Sequence, residues 1–517
     1  MRVRGGRQSP WAGLCSPLRR GASRSLGATS TSLALVLLGG GLLRLLGLSS
    51  ESIWLDEATS LIIARMNLAS VVAWAAGDIH PPLYYLALHF WLHLGDSEFA
   101  IRALSAVLGV FTIAVVYALA AELANQRVGL VSAFLFALSP LHVGYSQEAR
   151  MYVMVTALSL LASYLMLLAI RRQRAAYWTG YVLCTAMALY THYFALFALL
   201  SQMVFTVWWL WRARAGRTLW TRWLLASAAI ALAFLPWVPI LFHQATTGGG
   251  GWVERSVGRP TWRALLDTWV QFSIGLDARL YPLLVRRAAY VLFAVCLLLS
   301  LRELLRTRPA PPGDNAYRRQ HEGAVFCLLH VGLPLLTVWL LSQVKPMYTV
   351  RYLLPFLPGY CILVALGVQN MRWRWARFIA AGFLALALLT GDWLGWRTQR
   401  NPDWRSAARH VVDRIVPGDV VLVSPRWNEK PFDYYAQGRV TTNMELPIPV
   451  TDGSAQQVIA DLERDYQRVW LFWERGHYSD PTGIANQILQ SRFKLVEMRD
   501  FSGIRSLFLY DLKRSKG

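Results

Sequence analysis

The sequence predicts a mostly α, polytopic transmembrane protein with a small α/β domain at its C-terminal end. Three observations predict it. The 517 residues are 55% hydrophobic, with a mean hydropathy of +0.34. Apolar runs of membrane length recur at near-regular intervals up to about Leu394. Beyond Trp396 charge rises, and short strand-like and helix-like runs alternate.

In chain order the apolar runs are Leu33–Leu48, Ile101–Ala124, Gly129–His142, Val153–Ile170, Trp178–Tyr190, Phe194–Trp211, Leu224–Phe242, Ala288–Leu301, Ala324–Leu341, Leu353–Val368 and Phe378–Leu394, about eleven spans. The shorter ones reach the ~17–25 residues of a crossing by borrowing Trp, Tyr and His from their flanks. Leu83–Leu94, held between Pro82 and Gly95-Asp96, is too short to cross and predicts an interfacial or partly inserted helix.

Lys and Arg outnumber Asp and Glu by 52 to 30, a formal charge of +22. The excess sits in short clusters between spans, which argues for topology and against a nucleic-acid partner. The Arg-rich start, Arg127, Arg171-Arg172-Gln173-Arg174, Arg212 to Arg222, Arg302 to Arg319 and Arg372-Trp373-Arg374 fall on one side when Leu83–Leu94 does not cross. The positive-inside rule makes that side cytoplasmic. The expected organisation is a basic cytoplasmic tail at 1–28, a transmembrane domain at 29–395 and an extracytoplasmic α/β domain at 396–517, in the plasma or inner membrane. Four cysteines in or beside apolar runs and Cys15 in the tail show no metal or disulfide spacing.

In the tail domain, Val420–Ser424, Val469–Trp473, Lys494–Met498 and Ser506–Tyr510 read as strands, and Trp404–Ile415 and Ala455–Tyr466 as helices. It carries no glycine-rich phosphate loop, and no internal repeat is visible in the chain.

This topology collects the reactive residues on the non-cytoplasmic face. Trp54-Leu55-Asp56-Glu57 follows the first span; an adjacent acidic pair there is either interfacial decoration or a device to deprotonate an acceptor or hold a divalent cation. His80-Pro81-Pro82-Leu83-Tyr84-Tyr85 closes the same loop, the prolines fixing the entry to the short helix. In Ser146-Gln147-Glu148-Ala149-Arg150-Met151-Tyr152, Glu148 and Arg150 either tether a hairpin by pairing with each other or face Asp56 across a cleft, where Arg150 takes an anion. Tyr190-Thr191-His192-Tyr193 is either a solvated turn or part of a site. Lys345-Pro346-Met347-Tyr348-Thr349-Val350-Arg351-Tyr352 is either an interfacial anchor or a phosphate-holding group. Thr246–Gly251 reads as a linker or a lid. Carboxylates from two turns and cations from a third suit a phosphate-bearing lipid whose head group reacts with a hydroxyl or amine.

Together with Arg351-Tyr352-Leu353-Leu354-Pro355, these segments run in order and in register with the spans from about Ser30 to Leu394, and the series resembles the bacterial family 39 glycosyltransferases of the GT-C class, relatives of the protein O-mannosyltransferases and the lipid A aminoarabinose transferases. The resemblance implies an enzyme that transfers a sugar, with inversion, from a polyprenyl-phosphate donor to a lipid, glycan or protein acceptor on the outer face. It implies Asp56 as catalytic base with Glu57 beside it, and Glu148 as the acidic residue of the second loop. His80, Arg150, Tyr152, His192, Lys345, Tyr348, Arg351 and Tyr352 would bind substrate, Arg351 with Lys345 at the donor phosphate. Where the lipid A branch carries Glu-Lys-Pro-Pro this chain has Ile79-His80-Pro81-Pro82, so aminoarabinose transfer is disfavoured. Two other classes remain open: a transporter of lipid-linked sugars, against which the missing repeat argues, and an inactive scaffold, against which the intact acidic pair argues.

Overall fold

The computed structural model describes residues 23–247, 258–305, 315–440, 442, 446–448, 450–473, 480 and 482–515. Most of the predicted tail, with Cys15, lies outside the described residues, as do 248–251 of the glycine run and 306–314 of the Arg302–Arg319 cluster.

Twelve helices form the first half: α1 Ser23–Leu45, α2 Leu55–Ala64, α3 Leu68–Gly77, α4 Leu83–Trp91, α5 Glu98–Leu123, α6 Gln126–Ala137, α7 Pro140–Ser146, α8 Tyr152–Arg172, α9 Ala175–Leu189, α10 Ala195–Arg212, α11 Arg217–Phe234 and α12 Val238–Thr247. Among the described residues eight helices are long and apolar enough to cross a membrane. The bent pair α6–α7 makes a ninth, and the shorter apolar stretches Thr29–Leu45 and α9 coincide with the two remaining predicted runs. The Gly129–His142 run is therefore not one straight helix. Pro140 cannot continue the hydrogen-bond ladder of α6 and instead opens α7, which turns away by 61°. α4 has nine residues, ~13 Å of helix, too short to cross.

α5 spans ~39 Å along its 26 residues, enough to separate two polar ends. At its C-terminal end Arg171 pairs with Glu122 at 3.2 Å and Glu322 at 2.9 Å, and Arg172 with Glu122 at 3.0 Å. At its N-terminal end stand α2, α3, α4 and the turn before α8. The charge-rich cluster and the motif residues thus occupy opposite ends of the bundle. Leu284, Phe378 and Leu232 present 81%, 75% and 67% of their surface outward, as lipid-facing side chains do. Cys296, Cys327 and Cys361 are buried free thiols in the bundle.

The C-terminal part holds a four-stranded sheet in the order β1-β2-β4-β3, with β1 Asp419–Ser424, β2 Arg468–Trp473, β3 Phe493–Phe501 and β4 Ile504–Ser515. β1 and β2 are parallel; β4 runs antiparallel to both β2 and β3. Side chains alternate between faces. Val420, Leu422, Val469 and Leu471 pack under helices Asp452–Asp465 and Ile484–Arg492. Val421, Val423, Trp470 and Phe472 pack under Trp404–Val412 and Glu429–Ala436. Both faces are covered, which is why the β1 sequence is a continuous apolar run.

The second helix layer lies against the bundle. Glu51 accepts from the backbone N–H groups of Arg400 and Asn401, both at 3.1 Å, and Tyr435 accepts at 2.7 Å from the N–H of Ile53. Arg405 pairs with Glu98, which also accepts from the Tyr435 hydroxyl. The segment leading to Asp56 is thereby clamped by the C-terminal domain.

Candidate active site

Asp56 and Glu57 both sit in the first turn of α2, where the partial positive charge of a helix start favours carboxylates. Successive residues on a helix point about 100° apart, and here that rotation separates their fates. Glu57 faces α5 and is fully buried against Arg102. Its Oε1 accepts from Arg102 Nε at 2.8 Å and from the Ala149 N–H at 2.9 Å; its Oε2 accepts from Arg102 Nη2 at 2.6 Å and the Trp54 N–H at 3.4 Å. Arg102 spends its remaining donors on the carbonyls of Leu48, Glu51 and Ser52, at 3.0, 2.8 and 3.0 Å. All five guanidinium N–H groups have acceptors, so the pair is a closed network. Glu57, expected beside the catalytic base, has both oxygens occupied by these donors and ties together α2, the turn at Ala149 and the loop before Trp54.

Asp56 faces the other way. Its side chain is 26% exposed and its Oδ2 accepts a long contact, 3.4 Å, from Arg351 Nη1. Arg150 Nη1 donates to the Asp56 backbone carbonyl at 3.1 Å and to Ser60 Oγ at 3.0 Å, leaving its buried Nε without a hydrogen-bond partner among the described residues. Glu148 and Arg150 make no ion pair with each other among the described residues, so the pair is no hairpin tether. The half-buried Glu148 carboxyl makes no side-chain hydrogen bond there either. It is pushed up to about 8, first by burial and then by the negative charge of Glu57, with Arg351 opposing. At neutral pH it is a proton carrier rather than a fixed charge.

A cluster of aromatic rings packs beside these charges. His192 lies 5.2 Å from His80 and 4.8 Å from Tyr352 between ring centroids, and Tyr152 lies 5.9 Å from Tyr352. The Arg351 guanidinium stands 5.3 Å over Tyr352 and 5.9 Å over Tyr152, and Arg150 stands 5.8 Å over Tyr152. Burial, reinforced by Arg150 and Arg351, holds His192 down at about 3, and burial with His192 holds His80 well below the usual range. Both are neutral. His192 Nδ1 accepts from the Phe194 N–H at 3.1 Å, which puts the ring proton on Nε2, a buried donor with no partner among the described residues.

Eight of the predicted residues therefore meet: Asp56, Glu148, His80, Arg150, Tyr152, His192, Arg351 and Tyr352. Two do not. Lys345 donates to the Ala245 carbonyl on α12, and Tyr348 bonds Thr268 Oγ1 on the helix Arg263–Ile274 at 2.7 Å. Among the described residues no group of three or more His, Cys, Asp or Glu side chains is arranged to hold a metal.

Residues 79–241, which include His80, Glu148, Arg150 and His192, match the family model described as dolichyl-phosphate-mannose-protein mannosyltransferase. No curated protein sequence matches the chain. Its backbone is similar to apo ArnT from Cupriavidus metallidurans, with a TM-score of 0.58 at 11% identity over 95% of this chain and 98% of that one. The chain has the fold of these GT-C structures. The same GT-C fold relates it to the apo oligosaccharyltransferase of Archaeoglobus fulgidus (TM-score 0.56, 13% identity, 87% of this chain and 70% of that chain). ArnT from C. metallidurans bound to undecaprenyl phosphate is similar too (TM-score 0.54, 12% identity, 94% and 98% covered).

Within this GT-C protein the sequence reading missed Arg102 and Asp78. Arg102 had a usable signal, a guanidinium at the mouth of an apolar span, which in a membrane demands a partner. Asp78, two residues before His80, is raised by burial, with the charges of Arg150, Lys430 and Asp56 reaching it. Asp56 and Asp78 are close enough for their charges to act on each other.

Proposed function

We propose that this GT-C protein is a membrane glycosyltransferase that moves a sugar, with inversion, from a polyprenyl-phosphate donor to a lipid, glycan or protein acceptor. The observation that carries the reading is the contrast within Trp54–Glu57: Glu57 is consumed by Arg102, while Asp56 stays partly exposed beside Arg150 and Arg351, within electrostatic reach of Glu148. Asp56 takes the proton of the acceptor hydroxyl or amine as it attacks the anomeric carbon. The bond from that carbon to the phosphate oxygen breaks, and the phosphodiester leaves as a phosphate monoester with one more negative charge. Arg150 and Arg351 answer that growing charge, and the neutral His192 Nε2–H is a further donor beside them.

The printed names of the similar proteins support the donor class, since one ArnT structure holds undecaprenyl phosphate and the matched family is described by a dolichyl-phosphate sugar. By the distribution of charge, the Arg171–Arg172 end faces the cytoplasm, and the cavity and the 396–517 domain face outward, in the plasma or inner membrane.

The test is transfer in membranes carrying Asp56→Asn, supplied with a panel of radiolabelled polyprenyl-phosphate sugars. Loss of transfer at unchanged protein level is expected; full transfer by the variant would remove Asp56 from the base role.

A further inference from the structure

The helix Glu429–Ala436 turns Phe432 and Ala436 into the sheet. One turn apart on another face, Lys430 and Tyr434 reach the bundle, where the Tyr434 hydroxyl donates to the Asp96 carbonyl at 3.1 Å. Lys430 Nζ donates to Thr59 Oγ1 at 3.2 Å. Thr59 lies one turn of α2 beyond Asp56, and its own hydroxyl proton goes back to the Leu55 carbonyl at 2.8 Å. Of the three ammonium N–H groups only this one is engaged among the described residues, and Lys430 forms no ion pair with a carboxylate there. It nevertheless feels Asp78 and Asp56, whose charges oppose the lowering that burial imposes on it. An ammonium placed near two carboxylates and paired with neither is a group held for something else.

We infer that Lys430 is a substrate-binding residue, carried by the C-terminal domain to the Asp56 end of α2 to contact the phosphate of the lipid-linked donor. The inference rests on the donor class proposed above and adds to it where the third cation comes from. Without Lys430 the cavity sets Arg150 and Arg351 against Asp56 and Asp78, and an incoming phosphate meets no net positive charge. With Lys430 it does. Lys430 contacts Thr59 and Arg150 contacts Ser60, successive residues about 100° apart around α2, so an anion lying beside Asp56 meets cations from two directions. A corollary is that the outer domain is part of the site, because its seating on Ile53, Asp96 and Glu98 fixes where Nζ can be.

The test uses the full-length chain purified in detergent, with undecaprenyl phosphate as probe, undecaprenol as the phosphate-free control and inorganic phosphate as competitor, read by thermal stabilisation. Wild type is expected to be stabilised by undecaprenyl phosphate and not by undecaprenol. In Lys430→Gln, and in Lys430→Met as a second neutral variant, the half-saturating concentration should rise about tenfold, as loss of one charge-assisted contact implies, while Lys430→Arg stays within about threefold of wild type. Equal half-saturation in wild type and both neutral variants overturns the role of Lys430 and leaves the donor reading standing. No stabilisation of wild type by undecaprenyl phosphate overturns the donor reading itself. Stabilisation by inorganic phosphate alone, lost in Lys430→Gln, assigns the lysine to a free anion and overturns its assignment to the lipid.

Discussion

The two sides of the first turn of α2 hold carboxylates one peptide apart and treat them in opposite ways. On the α5 side Glu57 is sealed, with every oxygen and every Arg102 N–H satisfied. On the cavity side Asp56 keeps a quarter of its surface and one long contact to Arg351. A saturated buried ion pair contributes geometry, since its charge has nowhere to go; a loosely held carboxylate can take a proton and release it. The difference teaches that in this protein an acidic pair is one sealed group and one partly exposed group, and that the sealed one holds the turn that carries the other.

The contrast can be broken first on the sealed side. Arg102→Ala leaves a buried Glu57 without its partner and should cost about 3–5 kcal/mol of stability, seen as a large drop in the unfolding midpoint in detergent; an unchanged midpoint would mean that the network does not hold the loop. On the open side, Asp56→Asn should reduce transfer by about 10²–10⁴-fold with an unfolding midpoint close to wild type, and a matching loss of stability would erase the distinction. Among the cations, Arg351→Ala should raise the donor KM by about tenfold or more, whereas Lys345→Ala, which removes a contact to the Ala245 carbonyl far from the cavity, should change it less than about twofold. Reversal of that order would return Lys345 to the phosphate.

The smallest effect concerns Glu148, which feels the charge of Asp56. Its folded-state value of about 8 lies above the ordinary 4.5, so the folded protein binds its proton more tightly than the unfolded chain does. The resulting stabilisation is complete below about 4.5, declines as pH rises, and is gone once pH has passed 8. Unfolding midpoints measured from pH 5 to 9 should therefore fall more steeply for wild type than for Glu148→Gln. Parallel slopes would show a Glu148 that is ionised throughout.

Much of the architecture was legible because membrane helices advertise themselves through length and apolarity, independent of partners. All eleven apolar runs correspond to helices, and α4 is the short helix that its nine residues allow. The bend at Pro140 was legible in principle from the proline but was read as part of one run. In the C-terminal part, the alternation of Val420 to Val423 between two cores matched a strand covered on both faces. The site was legible as a set of polar turns on one end of the bundle, and eight of its residues do converge. Lys345 and Tyr348 were drawn in by nearness in sequence to Arg351, yet the turn that holds them points them toward Ala245 and Thr268.

The sequence by itself determined the spans, the sidedness of the charges, the presence of a sheet domain and the segments from which a site had to be built, because each follows from local composition and period. Only the tertiary structure decided which carboxylate is spent. Arg102 is 45 residues from Glu57, Arg351 is 295 residues from Asp56 and Lys430 is 371 residues from Thr59. Whether a charge is neutralised or left available depends on distances and burial set by packing, and adjacency along the chain carries no information about either.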